Sequence, residues 1–194
     1  MNDVLEALEP VVEVLEQLGV RYRVGGSVAS SALGVPRSTI DVDVACELAL
    51  PHVERFVSLL AGRYYADADM ISDAIQRRAS FNLVHLATML KVDVFIRRGR
   101  AFDAHSFERV TRKPLDAAEG ARSFDITTAE DIILHKLEWY RLGDEISERQ
   151  WLDLLGVLRV QGEAIDIDYL RRWAAELEVS DLLDRALRAA ASPT

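Results

Sequence analysis

Asp41 and Asp43 lie one residue apart in the run Ile40-Asp41-Val42-Asp43-Val44. Side chains on a strand alternate faces, so both carboxylates point one way, their Cα atoms ~6.5–7 Å apart. Ile40, Val42 and Val44 point the other way. Aspartate is depleted in strands, and two like charges this close repel more strongly as water is excluded. A bound divalent cation would relieve that repulsion. Mg²⁺ takes oxygen ligands and uses one or two carboxylates together with substrate phosphates. The competing reading is a solvated surface strand. A third acid, Asp93, lies in the strand-like Lys91-Val92-Asp93-Val94-Phe95-Ile96, where Lys91, Asp93 and Phe95 share a face. Acids on buried-looking strands are hard to keep ionised unless they meet around a cation.

Upstream, Gly25-Gly26-Ser27 follows the strand-like Tyr22-Arg23-Val24 and precedes a helical stretch, Val28–Leu33. Glycine permits backbone angles and close approaches that a Cβ would block. A helix N-terminus offers unpaired N–H groups and the positive end of a dipole, which suits a phosphate. Ser27 is either the N-cap of that helix or a hydroxyl donor to phosphate. For the three residues alone, a tight strand-to-helix turn explains them as well.

Taken in order, these motifs resemble a known family. Gly25-Gly26-Ser27 followed by Asp41-Val42-Asp43-Val44 is similar to the signature of DNA polymerase β-type nucleotidyltransferases. Arg37-Ser38-Thr39-Ile40-Asp41-Val42-Asp43 resembles the variant found in small prokaryotic members, among them the AbiEii-like and related nucleotidyltransferases. The resemblance implies an α/β (α+β) fold: a small mixed sheet flanked by helices, then a C-terminal helical region. It implies Asp41, Asp43 and Asp93 as catalytic acids and ligands of a two-metal Mg²⁺ site, with an NTP such as ATP as substrate. Gly25, Gly26, Ser27, Arg37, Thr39 and Lys136 would bind that substrate, Lys136 because Leu134-His135-Lys136-Leu137 resembles a lysine-bearing helix of the group. Arg149-Gln150-Trp151-Leu152-Asp153 resembles its downstream Arg/Asp segment, although Asp153 also reads as an i,i+4 surface partner of Arg149. The implied activity is transfer of a nucleoside monophosphate to an acceptor hydroxyl on RNA, protein or a small molecule. A toxin role with an antitoxin-like protein partner is part of the same resemblance. Two other classes stay open: a non-catalytic nucleotide- or partner-binding module on this fold, and a purely structural protein with surface aspartates.

Composition bounds the alternatives. The chain has 194 residues, about half of them apolar, a net charge of −9 and one cysteine. That is enough for a globular core. A lone Cys46, read as a buried thiol, excludes a disulfide framework and any multi-cysteine metal site. The acidic surface as a whole does not attract nucleic acid, so a polynucleotide would need a local basic patch. No apolar run reaches the ~18–20 residues of a membrane span, and no basic-then-apolar leader opens the sequence, so a cytoplasmic location is expected.

The remaining elements follow from periodicity. Val4 to Leu18 recur at helical spacing, stopped by Gly19, with Pro10 expected to kink that helix or start a second. Leu50–Ala61 and Asp67–Arg78 read as helices, with Asp67, Asp69 and Asp73 solvated. Tyr64-Tyr65 reads as a short strand. Ser80–Leu86 and Lys91–Ile96 read as a hairpin, with His85 a hydrogen-bonded strand residue. Arg97, Arg98 and Arg100 are a solvated basic turn or a phosphate contact. Residues 101–122 show no clean period and read as a connecting region broken by Pro114. From Thr127 the pattern is helical throughout, which sets the expected division at 1–126 and 127–194.

Overall fold

The computed structural model describes residues 2–39, 41–116 and 120–191. Ile40, expected at the head of the aspartate strand, lies outside them. Among the described residues the chain forms a mixed α/β structure with nine α-helices and a seven-stranded sheet. It divides into two compact units: Met1–Val28 with Ser38–Ile126, and Ala29–Arg37 with Thr127–Thr194. Residues 29–37, which the sequence groups with the α/β part, therefore cluster with the C-terminal helices.

The first unit carries the sheet. Its strands are β1 (Tyr22–Val24), β2 (Asp41–Cys46), β3 (Tyr64–Tyr65), β4 (Ser80–His85), β5 (Lys91–Ile96), β6 (Val110–Pro114) and β7 (Ser123–Thr127), in the order β3-β4-β5-β2-β1-β7-β6. β2 runs parallel to β5 and antiparallel to β1, and β4 and β5 form the expected antiparallel hairpin. β2 and β5 alternate half-buried with fully buried positions, apart from exposed Lys91. Val42, Val44, Val92 and Val94 are therefore core, while Asp41, Asp43 and Asp93 stand on the other face. α1 (Asn2–Gln17) covers the core with Leu8, Val11, Val12 and Leu15. It is one helix with Pro10 inside it, so Pro10 does not start a second helix. Gly19 ends it at a φ of +66°, with Val20 N–H bonded to the Leu15 carbonyl at 2.9 Å, the left-handed closure that favours glycine. α3 (Val53–Leu60) and α4 (Ala68–Arg77) appear where expected, α4 capped by Asp67 accepting from Met70 N–H at 2.9 Å. The region 101–122 holds a helix the pattern does not reveal, α5 (Ala101–Glu108), followed by β6. α5 buries Phe102, Asp103, Ser106 and Phe107, a mixed polar and apolar set with no amphipathic signal.

α2 (Gly26–Leu33) starts in the first unit, and its remainder clusters in the second with α6 (Ala129–Leu142), α7 (Glu148–Gln161), α8 (Ile167–Glu176) and α9 (Ser180–Ala191). Thr128 caps α6, and its hydroxyl also donates to the fully buried Asp131 at 2.9 Å. Tyr169 of α8 donates to the other Asp131 oxygen at 2.6 Å. Gly34 lies against the α7 backbone: a Cβ there would stand 2.8 Å from the Val157 nitrogen. Gln161 completes the contact by donating to the Leu33 carbonyl at 2.6 Å.

Candidate active site

The parallel pairing of β2 with β5 sets the geometry. Asp43 is directly opposite Asp93, and Asp41 directly opposite Lys91. Neighbouring strands lie ~4.8 Å apart, so three acids and one lysine occupy a two-by-two block on one face. On the far side of Asp93, β4 places Asn82 opposite it.

The glycine turn borders the same block. Gly25 N–H donates to the Asp43 carbonyl at 2.9 Å. Gly26 takes a φ of +54°, and a Cβ on it would overlap the Asp43 carboxylate. This position therefore needs glycine twice over, for its backbone angle and for its clearance. Gly26→Ala is expected to destabilise the protein by about 1–3 kcal/mol, read as a fall in urea midpoint. An unchanged midpoint would refute the close approach.

Ser27 lies inside the first turn of α2, not at the cap, and shares a 2.6 Å hydrogen bond with the Thr39 hydroxyl. Thr39 in turn donates to the Asp41 carbonyl at 3.1 Å and accepts from Asp41 N–H at 3.4 Å. These bonds tie the start of α2 to the entry of β2. Thr39 thereby orients the backbone that carries Asp41.

Lys91 is the feature the sequence did not single out. Its ammonium pairs with Asp93 at 3.1 Å, with the Asp93 side chain 17% exposed and that of Lys91 45% exposed. The hydrogen bond to Asp93 is the main cause that raises the Lys91 pKa, followed by the charge of Asp93 and the fields of Asp41 and Asp43. Face alternation places Lys91 beside Asp93 on the page of the sequence, but only the strand register shows that it also faces Asp41.

The donor chemistry fits an oxygen-liganded divalent ion: three carboxylates, no thiol, and a glycine that leaves room at Asp43. As the side chains lie, no three His, Cys, Asp or Glu groups among the described residues are close enough together to hold a metal. The cation at Asp93 in this state is Lys91. Backbone and residue types therefore suit Mg²⁺, and the Asp93 carboxylate would have to exchange Lys91 for it.

The basic turn after β5 is mostly committed elsewhere. Arg97 pairs with Glu47 at 2.7 Å, and Arg100 binds Asp103 through two nitrogens at 2.6 and 3.0 Å. Arg98 is exposed. Cys46, at the end of β2, is fully buried, and burial pushes its thiol up to about 12, so it is chemically inert. His85 is buried and hydrogen-bonded to Thr88 at 2.9 Å, as expected of a strand histidine. A cleft of about 460 Å³ opens at the other end of β1, lined by Arg21, Tyr22, Phe107 and Arg112 among others. It contains none of the aspartates of the acid block.

In the second unit, Arg37 and Lys136 share one carboxylate. Arg37 grips Asp153 with Nε at 2.6 Å and Nη2 at 2.7 Å, and Lys136 reaches it at 2.8 Å. Lys136 also donates to Gln150 at 3.0 Å. The side chains of Asp153 and Lys136 are only 7% and 6% exposed. Asp153 is therefore the shared acceptor of Arg37 and Lys136 and not the surface partner of Arg149. Burial alone would raise its carboxyl, but hydrogen bonds from Arg37 and then Lys136 outweigh burial and hold it below the usual carboxylate range.

No protein-family model matches the chain, and no curated protein matches it. Solved structures do. The solution structure of the antibiotic-resistance factor ANT(2'')-Ia aligns with a TM-score of 0.53 at 15% identity, covering 96% of this chain and 93% of that one. The crystal structure of ANT(2'')-Ia in complex with adenylyl-2''-tobramycin aligns at 0.50 and 15% identity, covering 99% of this chain and 100% of that one. An antigenic nucleotidyltransferase-like protein from Paracoccidioides brasiliensis aligns at 0.49 and 15% identity, covering 96% and 93%. The chain has the nucleotidyltransferase fold. At this identity the likeness concerns architecture: the mixed sheet with its flanking helices, which is the fold class expected from the motifs. Among the described residues no helix of this nucleotidyltransferase fold is long and apolar enough to cross a membrane.

Proposed function

We propose that the protein transfers a nucleoside monophosphate from an NTP to an acceptor hydroxyl, with the acid block of β2 and β5 as its active centre. The observation that carries this reading is the direct pairing of Asp43 with Asp93 on parallel strands, with Gly26 against the Asp43 carboxylate. The nucleotidyltransferase fold supports it.

In this reading Asp41, Asp43 and Asp93 hold Mg²⁺, which when bound neutralises phosphate charge and makes an acceptor hydroxyl easier to deprotonate. Asp93 is the acid assigned to take the acceptor's proton. Gly26 and Ser27 present backbone N–H groups at the start of α2 to the β- and γ-phosphates, and Gly25, whose N–H is held by the Asp43 carbonyl, sets the turn beside them. Thr39 acts through the backbone of Asp41 and through Ser27. Arg37 and Lys136 are assigned to the substrate on the motif resemblance, as cations of the kind that suit phosphate. The oxygen of the acceptor attacks the α-phosphorus, the bond to the β-phosphate bridging oxygen breaks, and pyrophosphate leaves. Orientation and charge complementarity supply most of the rate in such transfers.

The acceptor is best sought among polyhydroxylated small molecules first, because adenylyl-2''-tobramycin is what ANT(2'')-Ia holds. RNA and protein follow, and labelling of either would support a toxin-type role with a protein antagonist. The test is incubation with Mg²⁺, each α-labelled NTP and, in parallel, an aminoglycoside panel, total RNA and cell extract. Label on any acceptor class supports the transferase. NTP binding without transfer would replace it with a nucleotide-binding module on the same fold, and neither would leave a structural role.

A further inference from the structure

Lys91 is oddly placed for a strand that faces a metal centre. It stands two residues before Asp93 on the same face, opposite Asp41, and its ammonium contacts the Asp93 carboxylate at 3.1 Å. A lysine here adds positive charge where a divalent ion would have to enter. We infer that Lys91 is a resident counter-cation: it offsets one charge of the acid block, at Asp93, when no metal is present and is displaced from Asp93 when a divalent ion enters. The inference rests on the proposed function, since it needs the acids to be a metal site.

Three observations carry it. The acids alone form a block of three negative charges with Asp43 and Asp93 directly opposed, an arrangement that repels itself unless something positive is near. Lys91 is a positive group in direct contact with Asp93. Its side chain is nearly half exposed, so its long flexible stem can swing into solvent at little cost, because exposed ion pairs are weak. And no three acids now converge on a point that could hold a metal among the described residues, while one of the three is bonded to the lysine. Lys91 is thus a positioning residue, acting on Asp93 and not on substrate. Its effect is to weaken binding of a bare ion, which gives the site a preference for a metal that arrives already carrying polyphosphate oxygens.

The experiment measures Mn²⁺ binding by calorimetry, without nucleotide, in the wild type, Lys91→Met and Lys91→Arg. Lys91→Met should bind Mn²⁺ roughly tenfold more tightly at low salt, with the gap narrowing as ionic strength rises. Lys91→Arg should behave like the wild type because it keeps the charge. In the metal-free state Lys91→Met should melt at a lower temperature, and Mn²⁺ should raise its midpoint by more than it raises the wild type's. Tighter binding by Lys91→Met, including binding seen only in that variant, supports the inference. Equal or weaker binding by Lys91→Met in a protein that does bind Mn²⁺ overturns the role of Lys91 and leaves the metal site standing. No binding by any of the three proteins overturns both.

Discussion

Asp43→Asn is expected to cut nucleotidyl transfer by roughly a thousandfold or more, the scale of losing a group that stabilises transition-state charge, while leaving the metal-free melting temperature unchanged or higher. Asp43 is the best single probe because it is central in the block. Asp41 lies two residues before it on the same strand, and Asp93 lies directly across. Its carboxylate also faces Gly26, where the phosphates would dock. The amide has the shape of the carboxylate, so packing against Gly26 is kept and only charge is lost. Removing one of three neighbouring acids relieves their mutual repulsion, which is the usual conflict between stability and function at an active centre. Asp41→Asn should follow the same pattern. Comparable activity in the wild type and Asp43→Asn would remove the acid block from the chemistry. Loss of activity accompanied by a large fall in melting temperature would mean that the carboxylate is structural.

How much of this could be read from the chain depends on the range over which each feature is encoded. The acid strands were legible because alternation is local: Val42, Val44, Val92 and Val94 alternate with Asp41, Asp43 and Asp93, and each strand states its own faces. The Gly25-Gly26-Ser27 turn was legible for the same reason, although the clash that makes Gly26 necessary involves a residue on another strand. α5 was not legible. Its buried Phe102 and Phe107 are five apart, with Asp103 and Ser106 buried between them, so no apolar stripe at a helical period marks it. Pro10 leaves two local readings, a kink or a new helix, and the second is excluded by a helix that continues through it with Val11, Val12 and Leu15 in the core. The register of β2 on β5, which turns separate acids into one block and brings Lys91 opposite Asp41, is a tertiary property. Arg37 and Asp153 are further still from local reading. They are 116 residues apart, and the nearby Arg149 offers a plausible but incorrect partner.

That last pairing leads to the largest stability effect expected in the molecule. Asp153→Asn should destabilise the protein by about 3–5 kcal/mol at neutral pH, because it removes the carboxylate that Arg37 and Lys136 share. Lys136 is hit hardest, since its side chain is only 6% exposed. Arg37, at 26% exposed, can recover some hydration. The pH dependence follows from the direction of the Asp153 shift. Its folded carboxyl is held below the unfolded value of about 3.9. The stability it contributes is therefore complete above that value and is lost as pH falls through the lower, folded one. Urea midpoints of wild type and Asp153→Asn should differ widely at pH 7 and converge below about pH 3.9. Adding Lys136→Met to Asp153→Asn should restore part of the loss, as an apolar stem is cheaper to bury than an unpaired ammonium. A gap that persists unchanged into acid, or a double variant no more stable than Asp153→Asn alone, would show that shape and not charge pairing holds this part of the second unit together.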